Sequence, residues 1–477
     1  VVGPNGAGKT TLAKAIAGLV PVVRGKIDYP GFVGLAPMDA IAYVASDARR
    51  NIWRRERNMA HERGFAGRFN DATTVRDLIG RQSGGRLDPP EIARRLTDVV
   101  DSLSLENLLN RPALAISTGE MSRVLVACQL IRQPKMLILD EPFEGLDSMA
   151  RGDLIERFDR MARSGLAIIS IIHRCEEMLP ATTHLLTLAN GRIVASQAVN
   201  RRRPPVSRVV GDSAGRRPGW PEGAFVAAEK DGRLPSEPLI DMQRVTVRYG
   251  GTVVLDRFTW RVESGQNWAI TGPNGAGKST ILKLISGECL QVYANRIRLF
   301  GRALGSGQTL GELREQLGVV SHDLAAGYQT QISALEVVCS GFFDSIGLYR
   351  HADGGQIAIA RRWLARLGMA APGASPFNRL SQGERQMILI ARAMVKAPRL
   401  LILDEPCSGL DAHNRRRILD LLSDIGRGAE TGLIVISHFE QDIPACTTHR
   451  LVLDHGTVVA CGPLADRSVR DDASRHG

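Results

Sequence analysis

Two stretches of this 477-residue chain carry the residues of a phosphate cradle. Gly3-Pro4-Asn5-Gly6-Ala7-Gly8-Lys9-Thr10, followed by Thr11, stands at its start. Gly272-Pro273-Asn274-Gly275-Ala276-Gly277-Lys278-Ser279, followed by Thr280, returns in its second half. Both fit the G-x-x-x-x-G-K-[ST] pattern, whose glycines let main-chain N–H groups wrap phosphate oxygens. In such a loop the lysine reaches the β- and γ-phosphates and the hydroxyl, here of Thr10 or Ser279, holds Mg²⁺. One loop implies one nucleotide site, and two imply halves that can act on each other.

Carboxylates follow each loop. Ile138-Leu139-Asp140-Glu141 and Ile402-Leu403-Asp404-Glu405 are apolar runs that end in two acids. Continuous apolar character predicts a buried parallel strand, and ligands sit at the carboxyl ends of such strands. Asp140 and Asp404 are expected to face Mg²⁺, through water. Glu141 and Glu405 are placed to orient and deprotonate an attacking water. Upstream lie Ser117-Thr118-Gly119-Glu120 and Ser381-Gln382-Gly383-Glu384, each ahead of a helical stretch, Met121 to Arg132 and Arg385 to Lys396. A serine and a bare glycine at a helix start can bind an anion. An ordinary N-cap would look the same, but serine precedes aspartate by 23 residues in both halves, which favours the larger role. Gly145-Leu146-Asp147 and Gly409-Leu410-Asp411 come next, then apolar strands that end in His173 and His438. A lone histidine after a strand is usually structural. Two at matching offsets point to γ-phosphate contacts.

These residues need a scaffold, and the scaffold is duplicated. Lys9 and Lys278 lie 269 positions apart, Asp140 and Asp404 264, His173 and His438 265. One offset relating three landmarks means that a whole domain is repeated, unlike a solenoid with its period of about 20–50 residues. The expected domains are 1–199 and 238–477. Between them, 200–237 reads as a flexible basic linker punctuated by Arg201-Arg202-Arg203-Pro204-Pro205 and Pro235-Ser236-Glu237-Pro238. The second half has Val245 to Tyr249, a hairpin and Trp268-Ala269-Ile270-Thr271 ahead of its loop. The first half begins at Val1-Val2 and is expected to lack most of that β-region.

The net charge of +11 permits contact with nucleic acid, ribosome or an anionic membrane surface, but an arginine-rich solvated surface is the favoured account of it. The densest cluster is Arg49, Arg50, Arg54, Arg55, Arg57, Arg63 and Arg68, with Trp53 and Phe65 between them. The seven cysteines form no C-x-x-C pair, which argues against a zinc or iron–sulfur site and suits a reducing compartment. No apolar run approaches the roughly 20 residues that span a bilayer, and no signal peptide is visible.

In this order the motifs resemble those of the ATP-binding cassette (ABC) ATPases, over nearly the whole chain except the linker. The resemblance implies an α/β fold of two P-loop cassettes, each a RecA-like mixed-sheet core with a helical signature subdomain, and ATP with Mg²⁺ as ligands. It matches Lys9 and Lys278 to the Walker A lysine, Asp140 and Asp404 to Walker B, and Glu141 and Glu405 to the catalytic glutamate. Ser117, Gly119 and Glu120, with Ser381, Gly383 and Glu384, match the signature motif. Asp147 and Asp411 match the D-loop, and His173 and His438 the switch histidine. Tyr249 looks like the aromatic that stacks on adenine. Two such cassettes close head to tail, so the resemblance implies that Lys9 shares a nucleotide with Ser381, and Lys278 with Ser117.

One departure is evident. After the strands Ile41 to Val44 and Gly318 to Val320, the family places a glutamine that touches Mg²⁺ and couples to a membrane partner. Here Ser46 and His322 take its place. The second half is most similar to the molybdate-transport (ModF-type) branch, through Leu299-Phe300-Gly301-Arg302, Gly305 to Thr309 and Gly341 to Tyr349. The expected function is an ATPase energising a separate membrane permease, peripheral on the cytoplasmic face of the membrane. The alternative is a soluble ABC ATPase acting on the ribosome or nucleic acid. The prolines at 204, 205, 218, 221, 235 and 238 break the linker where ribosome-acting relatives have a charged helical hairpin.

Overall fold

A computed structural model of the chain describes residues 1–32, 34–65, 72–81, 89–199, 237–321, 324, 327–328, 332–369, 375–428 and 430–464. It divides into two compact units, Val1–Ser213 and Ala214–Gly477. The linker expected at 200–237 falls, except for Glu237, outside the described residues.

In the second unit the antiparallel strands β6 (Ile240–Tyr249), β7 (Thr252–Val262), β9 (Arg296–Leu299) and β10 (Arg302–Ala303) form one sheet in the order β10-β9-β6-β7. A second sheet runs β11 (Leu317–Val320), β12 (Leu400–Asp404), β13 (Gly432–Ile436), β8 (Asn267–Thr271), β14 (His449–Asp454) and β15 (Thr457–Pro463), all neighbours parallel except the last pair. The central strands β8 and β13 are buried at every position. That is why they read as unbroken apolar runs rather than alternating ones.

The first unit has β1 (Ile41–Val44), β2 (Met136–Asp140) and β3 (Ala167–Ile171) in a parallel sheet, and β4 (His184–Ala189) with β5 (Arg192–Ala198) in an antiparallel hairpin. Val1 and Val2 join the two. Ile172 N–H donates to Val1 O at 3.1 Å, Val2 N–H donates to Leu186 O at 2.9 Å, and Val2 pairs in parallel with Thr187. The resulting order, β1-β2-β3-Val1/Val2-β4-β5, repeats that of the larger sheet in the second unit.

Helices bring the functional termini to the carboxyl ends of these strands. In the first unit they are α1 (Lys9–Ile16), α2 (Ala48–Phe65), α3 (Val75–Arg81), α4 (Pro89–Leu103), α5 (Thr118–Leu130) and α6 (Ser148–Arg163). In the second they are α7 (Lys278–Ile285), α8 (Ala334–Cys339), α9 (Gly354–Arg366), α10 (Gln382–Met394) and α11 (Ala412–Arg427). Each unit has two cores, one on either face of its parallel strands. Ile281, Leu284, Ile402 and Ile434 lie on the α7 face, whereas Leu401, Leu403, Val435 and Ile388 lie on the α10 face. Ala13, Ile41, Ile138 and Ile171 cluster under α1, and Leu137, Leu139, Val124 and Phe158 on the opposite side. Alternation along a strand sends neighbouring residues to opposite faces, so β2 serves both cores.

Candidate functional site

The two glycine-rich loops fold alike. Gly8 and Gly277, the N-caps of α1 and α7, stand at φ 90° and 99°, left-handed values that cost a glycine little. Gly3 and Gly272 pass so close to the neighbouring strand that a Cβ on either would lie 2.2 Å from the carbonyl oxygen of Leu188 or Leu453. Only glycine fits there. Lys9 and Lys278 begin the helices and are buried, 5% and 6% exposed. The Lys9 ammonium donates to the Gly3 and Pro4 carbonyls at 2.8 and 3.0 Å, and Lys278 to those of Gly272 and Pro273 at 2.8 and 2.7 Å. Thr10, Thr11, Ser279 and Thr280 occupy the first turns, where unpaired N–H groups and the helix dipole favour an anion. The loops thus provide a cationic, donor-lined pocket mouth of the kind that binds phosphate.

At the end of β2, Asp140 is 1% exposed. Its Oδ2 accepts a hydrogen bond from the Tyr43 hydroxyl at 2.7 Å, whereas Oδ1 is buried with no hydrogen bond of its own. Burial pushes this carboxyl above its ordinary value, and the hydroxyls of Tyr43 and Thr10 pull the other way. A buried carboxylate oxygen without a partner, beside a threonine hydroxyl, fits a hard divalent cation that takes oxygen ligands and completes its shell with phosphate and water. Among the described residues no group of three or more His, Cys, Asp or Glu could hold a metal, so a cation here depends on that hydroxyl-plus-carboxylate pair. In the second unit Ser279 and Asp404 occupy the corresponding places, at the start of α7 and the end of β12.

Glu141 and Glu405 follow directly, both with left-handed backbone, φ 53° and 48°. A non-glycine residue in that region carries strain that the surroundings must hold in place. Here Glu141 N–H is anchored to Ile171 O at 3.1 Å and Glu405 N–H to Ile436 O at 2.9 Å. The turn projects each carboxylate to a histidine at the end of the adjacent strand. His173 Nε2 lies 2.6 Å from Glu141 Oε1, and His438 Nε2 lies 2.6 Å from Glu405 Oε1. Burial alone would raise the Glu141 carboxyl. Its hydrogen bond and charge interaction with His173, with Lys9 and Arg50 nearby, bring it below the ordinary glutamate value. His438 Nδ1 also reaches Gly272 O at 2.9 Å, tying the histidine to the phosphate loop. The spacing of motifs thus predicts a cluster that the structure assembles within each unit: loop, aspartate, glutamate and histidine.

The serine motifs are set apart as helix starts. Ser117 and Ser381 are the N-caps of α5 and α10, and each forms a reciprocal capping box. Glu120 N–H donates to Ser117 Oγ at 3.2 Å and Ser117 N–H to Glu120 Oε2 at 2.7 Å, with the same pattern at Ser381 and Glu384. The N-cap geometry is therefore present in both halves. It leaves the first two amides of each helix without an intrahelical acceptor. Gly119 and Gly383 lie at the second position because the next helix crosses there: a Cβ would meet Ala150 Cβ at 3.0 Å or the Asn414 side chain at 2.5 Å. Asp147 and Asp411 start those crossing helices, α6 and α11, as N-caps, accepting from Ala150 and Asn414 N–H at 2.8 Å.

Ser46 is half-buried just past β1, and His322 lies outside the described residues. Tyr249 ends β6 and is 47% exposed. Arg50, Arg54, Arg55 and Arg57 are exposed along α2; the side chains of Arg63 and Phe65, and all of Arg68, lie outside the described residues. Two residues escape a motif-based reading. Tyr43 is the hydrogen-bond partner of Asp140, and its only signal in the sequence is that Val319 occupies its place in the other half. Arg49 ties α2 to Ser122 Oγ at 3.2 Å and to the Glu144 carbonyl, behind the carboxylate turn.

A parallel sheet with phosphate loops, acidic strand ends and a signature helix defines the class as tandem P-loop ATPases. The ABC transporter family model matches residues 1–144 and 255–408. The chain is 34% identical over 458 residues to the ABC transporter ATP-binding protein ModF of Escherichia coli strain K12, covering 94% of this chain and 90% of that one. It is 26% identical to an uncharacterized ABC transporter ATP-binding protein of Schizosaccharomyces pombe, covering 96% and 92%. The chain belongs to the ABC transporter ATP-binding family, whose cassettes are ATPases that bind ATP with Mg²⁺. Among solved structures, a model of ribosome-bound archaeal Pelota and ABCE1 aligns with TM-score 0.60 at 20% identity, covering 99% of this chain and 76% of that one. A structure described as RNase-L Inhibitor aligns with TM-score 0.57 at 19% identity, covering 99% and 87%. At those identities the likeness concerns the fold. No helix among the described residues is long and apolar enough to cross a membrane.

Proposed function

We propose that the chain is the ATP-hydrolysing subunit of an importer, docked on a separate membrane permease at its cytoplasmic face, and that the cargo is of the molybdate type to which the second half's resemblance points. The observation that carries the ATPase part is the repeated Glu–His pair behind a phosphate loop, with 2.6 Å in each unit. The relationship to ModF along nearly the whole chain supports the transporter part.

In this reading Lys9 and Lys278, with the amides of α1 and α7, hold the triphosphate. Thr10 with Asp140, and Ser279 with Asp404, would hold Mg²⁺, which would supply charge neutralisation for the phosphates. Glu141 and Glu405 take a proton from the attacking water, and His173 and His438 orient those carboxylates and reach the γ-phosphate. The Ser117–Glu120 and Ser381–Glu384 helix ends supply further amides to phosphate. Asp147 and Asp411 fix the helices behind them, and Tyr249 stacks on the adenine.

The exposed arginines of α2 favour a second reading, a soluble ATPase acting on the ribosome or nucleic acid. A pull-down separates the two. Glu405→Gln protein loaded with ATP should recover a membrane permease from solubilised membranes. Recovery of 70S particles without any permease would overturn the transporter reading in favour of the second.

A further inference from the structure

Among the described residues on the face of the metal-side carboxylate, Tyr43 of the first unit has Val319 as its counterpart in the second. On β1 it lies opposite Ile138 of β2, and on β11 Val319 lies opposite Ile402 of β12. Each partner is two positions before the strand-end aspartate. Residues two apart share a face of a strand, so position 43 or 319 presents its side chain on the face of Asp140 or Asp404. In the first unit that side chain reaches the carboxylate, and the phenol donates to Oδ2 at 2.7 Å. The ring is held in the cluster beneath α1, with Ala13, Ile41, Ile138 and Ile171. In the second unit Val319 packs against the equivalent core and has no donor to offer.

We infer that Tyr43 is a positioning residue for Asp140: it occupies Oδ2 and presents Oδ1 to a divalent cation. Charge-assisted hydrogen bonds of this length are the strong, directional ones. With Oδ2 taken by the phenol, Oδ1 is buried and has no hydrogen bond of its own. Buried acceptors are seldom left that way without a role. The inference rests on the proposed ATP site, and the experiment keeps the two separable.

The test uses the full chain with Lys278→Ala, so that only the first site binds, and titrates Mn²⁺ in the presence of AMP-PNP by electron paramagnetic resonance. Tyr43→Phe keeps the ring and removes the hydroxyl. It should raise the half-saturating Mn²⁺ concentration on the order of tenfold, as loss of a hydrogen bond to a charged group implies, with metal-free nucleotide affinity unchanged. In an Asp140→Asn background Tyr43→Phe should add no further loss. In the Lys9→Ala chain, Val319→Ile should leave the second site's Mn²⁺ titration unmoved. An unchanged titration in Tyr43→Phe, or an equal loss with Asp140→Asn, overturns the inference while leaving the ATP site intact. If the Lys278→Ala chain binds no Mn²⁺ with AMP-PNP whereas the Lys9→Ala chain does, the first-site assignment falls and this inference with it.

Discussion

His438 Nε2 lies 2.6 Å from Glu405 Oε1 on a glutamate whose backbone is left-handed. The carboxylate is aimed by strain and caught by a hydrogen bond, so orientation is built in before any ligand arrives. Glu405→Gln keeps the shape and nearly the same hydrogen bonds but cannot accept a proton. With Lys9→Ala silencing the first site, it should bind ATP normally and hydrolyse it about 10²–10⁴-fold more slowly. Equilibrium nucleotide binding and single-turnover hydrolysis check this. Normal turnover would remove Glu405 from its assigned role.

The first site makes a pH prediction. Glu141 is held below the ordinary glutamate value, with burial opposed by His173, Lys9 and Arg50. A lowered folded-state value stabilises the fold above the unfolded value, about 4.3, and that contribution is lost as pH falls through the lowered one. The base form therefore survives to more acidic pH than in a free glutamate. His173→Ala removes the main opposing partner and leaves the burial. The acid limb of kcat/KM against pH, measured in the Lys278→Ala chain, should move to higher pH. A limb that stays in place would show that the pair does not set the basicity of Glu141.

Gly272→Ala tests the close approach at the phosphate loop. The added methyl would lie 2.2 Å from the Leu453 carbonyl oxygen, and the backbone, at φ 148°, suits glycine. The nearest atoms are all main chain of Leu453 and not a flexible side-chain end, so the loop must move. Destabilisation of about 3 kcal/mol or more is expected, read from urea unfolding, together with loss of nucleotide binding at the second site. Gly307→Ala, which meets nothing within 4 Å but shares a left-handed φ of 95°, serves as the comparison, with strain alone and a smaller loss.

Ser381→Ala separates capping from ligand contact. Removing an N-cap hydroxyl costs about 1 kcal/mol of stability, and Glu384 loses the partner on its amide. If the helix end also meets phosphate, ATP hydrolysis should fall much further than this stability loss explains. Ser333→Ala, which breaks the same kind of capping box on α8, should reproduce the stability change and spare turnover. Equal effects on turnover would reduce Ser381 to a cap.

Much of the site was legible because its residues work through main-chain geometry that leaves a mark in composition. Glycines at 3, 6 and 8 and an apolar run before Asp140 report the loop and the buried strand directly. The strand over Ile41 to Val44 matches the expected one, whereas the helix expected from Met121 already begins at Thr118, because Ser117 caps it. Tyr43 was not legible, because its role depends on a register between strands 95 positions apart in sequence, and a tyrosine in an apolar strand looks like core. The capping boxes were legible as S-x-G-E patterns, yet sequence alone could not weigh them against anion binding, since both uses want the same atoms. The crossing of α11 over Gly383 was hidden for a similar reason. Nothing local announces that Asn414 will arrive there.

The lysines of the two loops are coordinated by the loops themselves, each ammonium resting on two carbonyls of its own turn. Each lysine is thus already hydrogen-bonded within its own loop. An incoming triphosphate does not fill a void but enters an exchange, in which a cation already embraced by peptide oxygens transfers part of its allegiance to phosphoryl ones. What loading yields is therefore the difference between two sets of hydrogen bonds, not the full strength of the new one.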